Sequence, residues 1–67
     1  MALFFHIVED DAGRWTCRHG RHDYDTHNTL AQAKEHIRTL AFENRPAEIF
    51  VHHRDGTTVH LEDVTDP

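Results

Sequence analysis

One stretch of this sequence reads clearly as an α-helix, and both of its limits are marked. Thr29 stands where a helix begins, with Gln32 three residues on. That is the spacing of a capping box, in which the threonine hydroxyl accepts a backbone N–H of the first turn. Leu30, Ala33, Ile37, Leu40 and Ala41 then recur at intervals that gather on one face. Pro46 ends the run, because the residue before a proline avoids the helical region. The pattern predicts a helix over Leu30 to Glu43. Lys34, Glu35 and Arg38 fall off the apolar stripe, and Phe42 projects about 100° away from it. A single helix can cover only one face of whatever sheet the rest of the chain forms.

The remainder reads as strands and turns. Leu3 to Val8 is apolar on both faces, which suits a central strand. Asp10-Asp11-Ala12-Gly13 is turn chemistry, and Trp15 to His19 forms a hairpin with the first strand. After Gly20, Asp23 to His27 is a short third strand. Beyond Pro46, Glu48 to His53 and Thr58 to Glu62 are strands. Asp55-Gly56 between them favours a two-residue type I′ turn. Asp63 to Pro67 is a polar tail expected to fray. The order β-β-(β)-α-β-β predicts an α+β fold, with a single helix packed on one face of a small antiparallel-rich sheet. Strand phase places Phe5, Ile7, Trp15, Cys17, Ile49, Val51, Val59 and Leu61 under the helix. Phe4, His6, Val8, Thr16, Arg18, Phe50, His52, Thr58 and His60 fall on the other side.

Size limits what such a fold can do. A chain of 67 residues makes one domain, spanning residues 1–67, with a thin core and no cleft between lobes. No apolar run approaches the ~20 residues of a membrane span. Met1 to His6 lacks the basic start of a signal peptide, so a cytoplasmic setting is expected. The lone cysteine excludes an internal disulfide framework. Net charge is -5 with histidine neutral, and protonating all 8 histidines raises it to +3, so charge reverses just below neutral pH. An acidic chain binds nucleic acid poorly without a local basic patch. The only basic stretch runs from Arg14 to His22, with acidic segments on both sides.

Several of these segments also resemble a known family. His6-Ile7-Val8, Trp15, Gly20, His27-Asn28-Thr29-Leu30-Ala31-Gln32-Ala33 and Val51-His52-His53-Arg54-Asp55-Gly56, taken in order, resemble the domain-of-unknown-function 2188 family of small, mostly bacterial proteins. The resemblance covers about residues 5 to 62 and implies the same fold layout without implying an activity. Two positions depart from the pattern. Glu9 stands where the family usually has proline, and Phe42 where a charged residue is more usual.

Three groupings bear on chemistry. Cys17 and His19 share a strand face and have the types of a nucleophile and base. Cys17, however, follows Trp15 on the core side, where a free cysteine is usually a packing residue. Cys17, His19 and His22 have zinc-ligand types, yet a fourth ligand is missing and no metal or other cofactor is expected. There is no glycine-rich phosphate loop, G-x-S-x-G or H-E-x-x-H, so no enzymatic activity is expected. His6, His52 and His60 point outward from three strands, as solvated side chains, an acid-sensitive interface or adventitious metal ligands. The leading expectation is a homodimeric interaction module using Phe4, His6, Val8, Phe42, Phe50, His52 and His60. The alternative is a nucleic-acid-binding module using Arg14, Arg18, His19, Arg21 and His22, and the third reading is a His/Cys metal-binding protein with Cys17, His19 and His22 as its candidates.

Overall fold

The computed structural model describes residues 2–65. The chain runs β1 (Leu3–Glu9), β2 (Trp15–His19), β3 (His22–His27), α1 (Leu30–Glu43), β4 (Ala47–His52) and β5 (Thr58–Val64), an α+β order that includes the short third strand. The strands form one sheet in the order β3-β2-β1-β4-β5. β1 is its centre, antiparallel to β2 and parallel to β4. The remaining pairings are antiparallel. The parallel pair follows from the crossover through α1, which carries the chain from the β3 edge to the far side of β1. No helix among the described residues is long and apolar enough to cross a membrane.

The helix has the expected bounds and cap. Thr29 Oγ1 accepts the Gln32 N–H at 3.2 Å, and Thr29 O accepts that of Ala33. At the other end Asn44 donates its backbone N–H to Ala41 O and its side-chain amide to Leu40 O. Ala33, Ile37 and Ala41, four residues apart, form the buried seam. Two of the three are alanines, which lets the helix lie close to the sheet. The seam packs on Phe5 and Ile7 of β1, Cys17 of β2, and Ala47, Ile49 and Val51 of β4. The edge strands β3 and β5 contribute no fully buried residue; ladder bonds and polar contacts hold β3, while Leu61 and Val64 of β5 pack against the rim of the core.

The hairpin at Asp55-Gly56 differs from the expected type I′ turn. Gly56 N–H bonds to His53 O, and His53 N–H to Thr57 O, closing a three-residue loop. Gly13 N–H to Asp10 O and Asp10 N–H to Arg14 O repeat the arrangement between β1 and β2. Gly13 and Gly56 have φ of 78° and 94°. Each loop is a type I turn followed by a left-handed glycine. A type I′ turn needs a positive φ at Asp55 too, and no described non-glycine residue has one. The Asp55 carboxylate instead accepts the N–H and hydroxyl of Thr57.

β5 departs from expectation in two further ways. Strand pairing continues through Val64, which packs against the core, so the polar tail does not begin at Asp63. Residues 66 and 67 lie outside the described residues. A bulge inserts one residue opposite the Ile49–Phe50 step, so His60 pairs with Phe50 and Glu62 with Ile49. Leu61 meets the core and Glu62 reaches Arg38 of α1. Val59, expected under the helix, is 46% exposed, because the helix covers the strands inside this edge.

Candidate functional site

Registers decide which outward side chains meet, since paired residues share a sheet face. His6 lies beside Phe50 and Val8 beside His52 across the parallel pair, while His60 lies beside Phe50 across the other. Phe50 is the hub of the face. Its ring is stacked on His6 at 5.7 Å between centroids, edge-on to Phe4 at 5.8 Å and edge-on to His60 at 5.1 Å. His6 Nδ1 and His52 Nε2 share a hydrogen bond of 2.8 Å, and His52 Nδ1 lies 3.2 Å from Thr58 Oγ1. His6, Val8, Arg18, Gly20 and His52 line a shallow depression of about 380 Å³. Partial burial lowers the His6 pKa, and His52, Arg18 and His19 lower it further. Phe4 is 50% exposed on this uncovered face.

Six of the seven expected interface residues therefore share one surface. Phe42 does not. It belongs to the helix layer, across the sheet from Phe50, and the Arg45 guanidinium lies 3.9 Å above its ring. On the open face His60 Nε2 sits between Asp63 at 3.0 Å and Glu48 at 3.3 Å.

The expected nucleic-acid residues are dispersed. Arg14 precedes β2 and Arg21 lies in the turn that follows it, so the two stand at opposite ends of the strand. Arg18 is held by Asp23 through two hydrogen bonds, and the same contact pulls the Asp23 carboxyl below its usual range. His19 turns to the helix side, its ring against Phe5 and its Nδ1 3.0 Å from Phe4 O. His22 packs edge-on to Tyr24.

Cys17, His19 and His22 do not converge either. Cys17 is buried and directs its thiol to Ala33 O at 3.5 Å. Burial pushes that thiol up to about 12, and the facing Asp25 adds to the rise. The residues gathered round Cys17 are Asp25, His27 and His36, none of which the sequence reading singled out. The pairings that place Asp25 opposite Cys17, and His27 opposite Trp15, put both under the helix beside His36.

Glu9 has a role of its own. Its Oε1 accepts the Arg54 N–H at 2.9 Å, and the Arg54 guanidinium donates to Asp11 O at 3.3 Å. The two hairpin turns are thereby joined at one end of the sheet. Residues 5–63 match the model of a family described as uncharacterised proteins conserved in bacteria, DUF2188, and the chain belongs to it. No curated protein and no solved structure matches the chain.

Proposed function

We propose that this chain is a non-enzymatic interaction module that works in the cytoplasm as a homodimer, joined through the open face of its sheet. The observation carrying this reading is the aromatic cluster on that face, with Phe4 half exposed against Phe50 and no layer above it among the described residues. Exposed aromatic surface of this kind favours burial against a partner. A chain with nine buried core residues among those described also gains from sharing apolar surface with a copy of itself. The non-enzymatic part rests on the sole thiol being buried, which leaves no sulfur nucleophile at the surface.

Light scattering at micromolar concentration tests the reading. The expected mass is twice the 7.8 kDa of the chain. Phe50→Glu, with its fold checked by circular dichroism, is expected to run as a monomer. A monomeric parent protein overturns the proposal.

A further inference from the structure

We infer that Cys17, Asp25, His27 and His36 form a binding site for a tetrahedral divalent transition metal of the zinc class. Three elements meet there: β2 supplies the sulfur, β3 the carboxylate and one imidazole, and α1 the other imidazole. Asp25 Oδ2 lies 3.0 Å from His27 Nε2, and Asp25 Oδ1 lies 2.9 Å from His36 Nδ1. The two imidazole nitrogens are 3.4 Å apart, and all four ligand atoms lie within 4.8 Å of one another. Zinc bonds of ~2.0–2.3 Å set the atoms of one sulfur and three nitrogen or oxygen ligands about 3.3–3.5 Å apart in a tetrahedron, so the cluster needs to contract by no more than about 1.5 Å.

Without a metal, each Asp25 oxygen accepts an N–H from a different imidazole, so the group is held by hydrogen bonds. Each of these imidazoles can carry its single proton on the other ring nitrogen instead, which turns a bare nitrogen toward the centre. A cation at the centre meets lone pairs from every side. The donor set also selects the ion: a thiolate and two imidazoles favour zinc over magnesium or calcium, and four protein ligands make a closed structural site. On binding, the Cys17 proton leaves to solvent and the sulfur coordinates as thiolate. An ion can enter from the surface, since Asp25, His27 and His36 line a depression with Gln32, Glu35 and Thr39. The consequence is a clip between α1 and β3, the edge strand that buries no residue of its own. Glu48, His60 and Asp63 also converge, but they are largely exposed and lack a sulfur.

Cobalt(II) titration of the full chain tests the site. The expected result is one ion per chain, with the visible bands of tetrahedral cobalt and a near-ultraviolet thiolate-to-cobalt band, both bleached by zinc. Cys17→Ser is expected to remove the thiolate band. His36→Gln, at a partly exposed helix position that leaves the fold intact, is expected to weaken binding by about tenfold or more. His60→Gln is expected to change nothing. Absence of the thiolate band in the parent chain, or affinity unchanged by His36→Gln, overturns the proposal.

Discussion

His6 Nδ1 and His52 Nε2 lie 2.8 Å apart on the two parallel strands at the middle of the sheet, a contact that holds one proton and not two. One ring must accept while the other donates. Protonating both turns the bond into two facing N–H groups. His6 of this pair is stacked on Phe50, the hub of the open face, and its ring lies 4.9 Å from that of His52.

Acid sensitivity follows from this pair. Burial first, then His52 from β4 and Arg18 and His19 from β2, lower the His6 pKa in the folded chain. The unfolded chain, with histidine near ~6.5, then binds protons more readily. The His6 contribution to stability is complete above that unfolded value and is lost as pH falls through the lower folded value. A melting series from pH 7.5 to 5 is expected to show a falling melting temperature on the acid side. His6→Phe, which keeps a ring beside Phe50 and removes the titration, is expected to show a smaller fall. Equal losses in the two proteins contradict the assignment.

The link between the two hairpin turns gives a second prediction. Glu9→Ala leaves the Arg54 N–H without its carboxylate acceptor. A cost of about 1 kcal/mol is expected, read as a lower urea midpoint at unchanged slope. An unchanged midpoint shows that the bond between the turns adds nothing.

The core gives a third. Ile37 is fully buried at the centre of the helical seam. Replacing such an isoleucine by alanine costs about 2–5 kcal/mol, against a total stability of roughly 0.05–0.15 kcal/mol per residue. Ile37→Ala is therefore expected to lose about half of the stability of the chain, read as a much lower urea midpoint. Ile37→Val, at about 0.5–1.5 kcal/mol, is expected to show a smaller drop. An Ile37→Ala midpoint no lower than that of Ile37→Val shows that the seam carries less of the stability than its burial implies.

Local signals carried most of the fold. Thr29 and Pro46 framed the helix because capping and the proline restriction act within a few residues. Alternation placed Phe4, His6, Phe50 and His52 on one face because strand phase is also local. The Cys17 cluster stayed hidden for a different reason. Counting outward from the Gly20-Arg21 turn puts Tyr24 opposite Cys17, but a bulge between Cys17 and Arg18 moves Asp25 there instead. A bulge has no reliable spacing signal, and one extra residue exchanges the side chains facing the helix. His36 carries no signal of its own in the helix pattern, since only the tertiary packing shows that β3 runs beside it.

Phe42 separates the two sides of the molecule in the last prediction. Its ring is 57% exposed on the helix layer, with the Arg45 guanidinium 3.9 Å above it. An exposed cation–π contact contributes about 0.5–1 kcal/mol, so Phe42→Lys is expected to lower stability by no more than that. The sheet lies between Phe42 and the face bearing Phe4 and Phe50, so the substitution is expected to leave the mass in light scattering unchanged. Phe50→Glu, on that other face, is expected to halve it. The reverse result, dispersal by Phe42→Lys and none by Phe50→Glu, moves the contact to the helix layer and contradicts the open-face dimer. In that case the His6–His52 bond, remote from the contact, still governs the pH dependence of folding while leaving that of assembly unaffected.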